Sequence, residues 1–160
     1  MNIIVVAMTK DGVIGKNGSL PWNIPSELQH FKSQTIGCSV VMGKNTFLSL
    51  NRPNGLPLRK NVVVSHSFMT VGSDVIVVPT LEDVYHVVKY RSSPTCYIGG
   101  AMLYDSVLKA GIIHKMHISE IKGDYDGDTK FPEYDTTQWQ LSHFEDKGEF
   151  FYKVLTRIAD

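Results

Sequence analysis

The sequence predicts an α/β fold: a mainly parallel central sheet of about eight strands, helices on both faces, and an antiparallel hairpin near the C-terminal end. Three observations predict it. Short continuous apolar runs recur, and such runs suit strands covered on both faces. They alternate with helical patterns up to about residue 110. Beyond that point, two or three strands follow one another without a helix between them.

The elements follow in order. Asn2–Met8 is a buried first strand, lacking the basic start and cleavage site of a signal peptide. Val13–Phe31 begins as a strand exit, becomes a Gly/Asn/Ser/Pro-rich loop, and turns into a helix. Pro25 suits a first helical position, and Ser26–Thr35 reads as helix ending before Gly37. Ser39–Met42 is a second strand, and Gly43-Lys44-Asn45-Thr46 leads into a short helix to about Leu50. Arg52–Leu58 is a Pro/Gly-rich loop. Strands are expected at Asn61–Ser65, Asp74–Val78 and Thr95–Ile98. Leu81, Val84, Val87 and Val88 form a helix stripe within Leu81–Tyr90, and Ala101–Lys109 is a further helix. Lys115–Ile121 alternates as a strand, with Met116 and Ile118 on one face. Trp139–Phe144 and Phe150–Thr156 read as the hairpin, turning at Asp146-Lys147-Gly148.

At 160 residues one domain, 1–160, is expected. Sixteen acidic and sixteen basic residues are interspersed, so nothing marks an electrostatic nucleic-acid binder. No apolar stretch approaches a membrane span. Cys38 and Cys96 are expected as buried free thiols, which points to a reducing, cytoplasmic setting.

In sheets of this class ligands bind beyond the carboxyl ends of the strands. Candidate residues are therefore sought there. Glu27 follows Pro25 beside Leu28 and Phe31, three apart on one helical face. One reading makes Glu27 a first-turn acid favoured by the helix dipole. The other makes it a buried carboxylate with a chemical role, since a lone buried acid is costly. Two strand-to-helix junctions carry glycine, at Gly43 and at Gly99-Gly100. Either could be an ordinary tight turn, but two in one sheet suit a dinucleotide's linked phosphates. No G-x-G-x-x-G follows the first strand. Lys44, Ser65 and His66 form either a basic cluster or a solvated surface. Arg52 and Arg59 are either surface arginines or carboxylate grips. Glu120, Asp124, Asp126 and Asp128 lack a calcium-loop spacing and read as solvated, and the six histidines show no metal spacing.

The run Gly15…Leu20-Pro21-Trp22…Glu27…Phe31, then Met42-Gly43-Lys44-Asn45-Thr46-Phe47, Arg52-Pro53, Arg59-Lys60-Asn61, Ile98-Gly99-Gly100 and Gly127-Asp128-Thr129…Phe131-Pro132 resembles dihydrofolate reductase of the bacterial type. The match spans essentially the whole chain, in order. The resemblance implies reduction of 7,8-dihydrofolate to tetrahydrofolate with NADPH, in one-carbon metabolism, by a cytoplasmic monomer that binds antifolates. It puts Glu27 at the family's single buried acid, holding the pterin's amino group and ring N–H, with Ser119 in support. Val5, Ala7, Leu28, Phe31, Leu50 and Ile98 would form the apolar pocket, and Arg59 would bind the substrate's α-carboxylate. Leu20 and Trp22 would belong to a mobile loop over the nicotinamide, with Ala7, Ile14, Gly15 and Gly18 beside the cofactor. Gly43, Lys44, Asn45 and Thr46 would cradle the diphosphate together with Gly99, Gly100, Ala101, Met102, Leu103 and Tyr104. Gly99-Gly100 would be a cis bond, and Lys44, Ser65 and His66 would meet the 2′-phosphate. A water would protonate the pterin's N5.

The chain departs from the family at four places. Glu27 stands where Asp is commoner, Lys44 where arginine is usual, and Leu20 where methionine is common. The Arg52–Arg59 loop carries a two-residue insertion around Asn54-Gly55. A pyrimidine reductase of riboflavin synthesis resembles the same fold, but the Pro21-Trp22…Glu27 pattern argues against it. An inactive ligand-binding relative is disfavoured by Trp22, Glu27, Arg59 and both glycine junctions.

Overall fold

The computed structural model describes residues 1–158, so Ala159 and Asp160 of the expected domain lie outside the described residues. Ten strands and four α-helices follow in chain order: β1 Asn2–Thr9, β2 Val13–Gly15, α1 Pro25–Thr35, β3 Ser39–Gly43, α2 Lys44–Leu50, β4 Lys60–Val64, β5 Val75–Val78, α3 Leu81–Val88, β6 Thr95–Tyr97, α4 Ala101–Lys109, β7 Lys115–Ile121, β8 Thr129–Lys130, β9 Trp139–Asp146 and β10 Phe150–Arg157. Eight strands form one sheet in the order β5-β4-β3-β6-β1-β7-β10-β9. The pairings from β5 to β7 are parallel, and β10 joins β7 and β9 antiparallel. The expected sheet is therefore present. The sheet has the expected eight strands, and β2 and β8 pair with each other outside it. At three and two residues they are too short for any periodicity to register.

Period-two alternation splits the side chains between two cores. Ile4, Val6, Val41, Val62, Met116 and Ile118 pack against Val84 of α3 and Leu103 and Val107 of α4. Ile3, Val5, Val40, Met42, Val63 and Cys96 face the other way, toward Phe31 of α1 and Phe47 of α2. Cys38 and Cys96 are both buried and free. Burial pushes the Cys96 thiol up to about 12, with the Cys38 thiol beside it, so Cys96 is an inert core group.

Because β1, β3, β4 and β6 run parallel, their carboxyl ends share one edge. The loop after β1, Gly43, Ser65 and Ile98 all emerge there. No helix among the described residues is long and apolar enough to cross a membrane.

Candidate active site

Glu27 lies in the first turn of α1, after Ile24 as N-cap and Pro25 at the first helical position. It is only 5% exposed. Its helical neighbours i+4 and i+8, Phe31 and Thr35, continue the same stripe, and Thr35 is fully buried. The helix is thus rolled so that the acid, and not Leu28, faces the sheet. Leu28 is 51% exposed, which corrects the expectation that Leu28 and Phe31 share the covered face. Ser119 of β7, itself 3% exposed, lies close to the Glu27 carboxylate. Burial raises the Glu27 pKa, and the nearby Ser119 hydroxyl opposes that only in part. Ala7 and Val5 lie on the same face of β1 as Ser119 does on β7, since Ala7 pairs with Ser119. Phe31, Leu50 and Ile98 are half-buried on that side of the sheet.

The loop before α1 closes this end. Trp22 is buried and meets Tyr125 edge-on at 5.6 Å between ring centroids. Its Nε1 is buried without a hydrogen-bond partner among the described residues. Leu20 is 46% exposed. The Asn17 N–H donates to Asp128 Oδ2 at 2.9 Å, and Asp128 N–H donates to the Gly15 carbonyl at 3.1 Å. Asp128 is therefore a tie for this loop as well as a solvated acid. Glu120 is also held, accepting from Lys153 Nζ at 2.8 Å. Only the positions of their basic and backbone partners, remote in sequence, could have shown this.

The two glycine junctions meet. Gly43 N–H donates to the Gly99 carbonyl at 2.8 Å. Gly43 caps α2 and Gly100 caps α4, and neither helix start has a side-chain cap. Their first N–H groups therefore remain open for an anion. Gly99 has φ +130°, a conformation that other residues rarely adopt, and a Cβ there would only touch Thr46 Oγ1 at 3.4 Å and the Tyr104 hydroxyl at 3.5 Å, so the backbone and not the space calls for glycine. The Gly99–Gly100 bond is cis, as expected.

Next to this cradle, Lys44 Nζ donates to Ser67 Oγ at 3.1 Å. Ser67 Oγ lies 3.2 Å from Ser65 Oγ. On the far side of α1, Arg59 donates through Nε to the Pro57 carbonyl at 2.8 Å and through Nη1 to Thr35 Oγ1 at 3.0 Å. Burial and the neighbouring Arg52 charge lower its pKa. Arg52 and Arg59 border one cavity of about 650 Å³ with Asn54 and Asp74.

A buried acid facing a sheet, beside two joined and uncapped glycine junctions, is the arrangement the family resemblance implies. The family model for dihydrofolate reductase matches residues 1–152. A dihydrofolate reductase of Buchnera aphidicola is 34% identical over 169 aligned positions, covering 99% of this chain and 100% of the relative. One from Bacillus subtilis is 35% identical, covering 94% and 90%. A solved dihydrofolate reductase from Enterococcus faecalis, complexed with NADP(H) and RAB-propyl, superposes with a TM-score of 0.88 at 28% identity, covering 99% of this chain and 97% of that one. The chain belongs to the dihydrofolate reductase family.

Within that family frame, the run after the glycines divides. Leu103 is 7% exposed and packs in the core under α4, and Tyr104, 3% exposed, packs there too while its hydroxyl stays beside Gly99. The Tyr104 hydroxyl donates to the Val5 carbonyl at 2.9 Å. Only Gly100, Ala101 and Met102 of that run lie at the helix start in partly or fully exposed positions. His66 is exposed, and the hydroxyl that reaches Lys44 is that of Ser67. The reason is a tight turn after β4, in which Ser67 N–H donates to Ser65 Oγ at 3.3 Å and folds Ser67 back. The Ser-x-Ser spacing could have signalled that turn. Thr35, which orients Arg59, carried no signal beyond its place one turn after Phe31. The Arg52–Arg59 loop is tied down by Asn61. Its side chain accepts from Leu56 N–H at 2.8 Å and donates to the Leu56 and Arg59 carbonyls at 2.9 and 3.0 Å.

Proposed function

We infer that this chain reduces 7,8-dihydrofolate to 5,6,7,8-tetrahydrofolate, consuming NADPH and one proton from water, and that Glu27 is the group that holds the pterin. The observation that carries the reading is the single carboxylate of Glu27, buried on the α1 face of the sheet beside Ser119. A carboxylate accepts two parallel hydrogen bonds, which matches the paired amino and ring N–H donors of a pterin. Val5, Ala7, Phe31, Leu50 and Ile98 supply the apolar walls, and Leu28 would be covered by the substrate's benzoyl ring. Arg59, with its guanidinium held by Thr35, would grip the tail carboxylate.

The residues fit NADPH. The joined, uncapped starts of α2 and α4 suit a diphosphate, and Gly99 holds a backbone conformation that other residues rarely adopt. Lys44, Ser65 and Ser67 offer one charge and two hydroxyls to a further phosphate. When bound, NADPH supplies the hydride. Glu27 stays ionised against the pterin as positive charge develops there, which favours the transition state over the ground state. Leu20 and Trp22 would exclude bulk water over the reacting face. We further read residues 1–160 as one cytoplasmic domain acting as a monomer and binding antifolates.

The test is dihydrofolate-dependent oxidation of NADPH by the purified chain, with and without a diaminopyrimidine inhibitor. Inhibitable turnover supports the reading. NADPH binding without turnover would overturn it, and turnover of a pyrimidine substrate instead would favour the riboflavin-pathway alternative.

A further inference from the structure

The side of α1 that meets the sheet is unusual in its chemistry. Glu27, His30, Phe31 and Gln34 recur at i, i+3, i+4 and i+7, and of these only Phe31 is apolar. A helix seated on polar groups must be held by specific hydrogen bonds. Two places set how α1 sits on the sheet. Near the start of α1, buried Glu27 comes up against buried Ser119 of β7. Two turns later, Gln34 Nε2 lies 2.9 Å from His117 Nδ1. The Tyr152 hydroxyl reaches the same Nδ1 at 3.0 Å. His117 and Ser119 stand two apart on one face of β7, and Tyr152 pairs with Ser119 in the β7–β10 register.

We propose that Gln34, His117 and Tyr152 are positioning residues for Glu27: a second anchor that fixes α1 over β7 and so sets where the Glu27 carboxylate meets substrate. This rests on the reading of Glu27 given above. The two pins are about 10.5 Å apart along the helix axis. A single pin would let α1 swivel about Ser119, whereas two separated pins fix its direction.

The donor pattern constrains the imidazole. The Gln34 amide nitrogen can only donate, so Nδ1 carries its lone pair and the His117 proton sits on Nε2. The Tyr152 hydroxyl shares that one lone pair with Gln34. Burial holds His117 down to about 4, and Lys115, His30 and His143 add to that. The groups facing the anchor are thus His30 on α1, Lys115 on β7, His143 and Glu145 on β9, and Lys147 in the β9–β10 turn. His30 also stacks edge-on against Tyr152 at 4.4 Å.

The experiment compares Gln34→Leu, Tyr152→Phe and Gln34→Glu with the unaltered chain, with Glu27→Gln alongside. Single-turnover hydride transfer is measured across pH, together with KM for dihydrofolate and NADPH affinity. Gln34→Leu and Tyr152→Phe should each lower hydride transfer by about 10-fold, the scale of a small misplacement, and shift the midpoint of its pH profile. NADPH affinity should stay within about twofold, since the cradle lies on α2 and α4. Gln34→Glu replaces a donor with an acceptor, which the Nδ1–H tautomer or a protonated His117 can meet, so its loss should be smaller than that of Gln34→Leu and smallest at low pH, where the protonated form adds charge. Unchanged rates and pH profiles in Gln34→Leu and Tyr152→Phe, with Glu27→Gln impaired, overturn the anchor alone. Equal losses in NADPH affinity and hydride transfer also overturn it, because they mark a general structural role. If Glu27→Gln itself transfers hydride normally, the Glu27 reading fails and the anchor falls with it.

Discussion

Arg59 Nη1 donates to Thr35 Oγ1 at 3.0 Å, and the Thr35 hydroxyl donates in turn to the Phe31 carbonyl at 2.9 Å. The last residue of the Arg52–Arg59 loop is thereby fixed to the helix that carries Glu27. The guanidinium is planar and pre-oriented, so a bidentate carboxylate contact requires little further ordering. Arg59→Lys exchanges that fork for a point charge. Dihydrofolate KM should rise by about 10-fold or more, the scale of one charge-assisted hydrogen bond, while NADPH affinity stays constant. Arg52→Lys should do much less, because Arg52 is exposed. The reverse ranking, measured by steady-state kinetics, would move the carboxylate grip to Arg52.

The cofactor's phosphate preference is expected to sit at Lys44 and Ser67. Lys44 Nζ is already within 3.1 Å of the Ser67 hydroxyl, so a phosphate arriving there meets a charge and a hydroxyl together. Lys44→Ala should reduce the preference for NADPH over NADH by about 1–3 kcal/mol, and Ser67→Ala by about 1 kcal/mol. His66→Ala should change it less than either. Binding titrations with both cofactors check this. An equal loss for NADPH and NADH would show that the pair does not read the phosphate.

Much of this was legible in the sequence because it depends on local pattern. Apolar runs gave the sheet, Pro25 the start of α1, and Gly43 and Gly99-Gly100 the cradle. What the pattern could not show was rotation and partnership. Leu28 and Glu27 differ by one position, or about 100° on the helix, and only packing decides which turns inward. Ser67 comes to Lys44 through a turn formed by Ser65, a short-range hydrogen bond without apolar periodicity. Leu103 and Tyr104 follow the glycines, and one helical turn buries both side chains in the core under α4. The Gln34–His117–Tyr152 contact joins residues 83 and 35 positions apart, beyond the reach of spacing arguments.

Stability should fall as the solution is acidified through the window set by His117. Its ordinary pKa of 6.5 is lowered to about 4 in the fold. Between those values the unfolded chain binds a proton that the folded chain does not, so unfolding gains as pH drops. Below about 4 the loss is complete. For this partly exposed group the loss is on the order of 2 kcal/mol after allowing for solvent screening. His30, also lowered by burial, acts in the same direction. Denaturant midpoints measured from pH 7 to pH 4 should fall, and His117→Asn should flatten that slope. A slope unchanged by His117→Asn would assign the acid sensitivity elsewhere.

Glu27 has the opposite linkage, and it separates function from stability. Its carboxyl is raised from 4.5 by burial. Between that ordinary value and its raised folded value, the folded chain holds a proton that the unfolded chain has lost. The ionised acid therefore costs stability as pH rises through that window, and the cost is complete above the folded pKa. Glu27→Gln keeps the size, but it removes the buried charge. Its Tm at pH 7 should be higher than that of the unaltered chain, as expected where a site is built for chemistry at the expense of stability. Its hydride-transfer rate should nevertheless drop by roughly 10²–10⁴-fold, the range for a positioned acid–base group. Glu27→Asp should stay active, since a carboxylate remains. Calorimetry and single-turnover kinetics on the same preparations make the test. A Glu27→Gln variant that is less stable and fully active would return Glu27 to an ordinary first-turn acid.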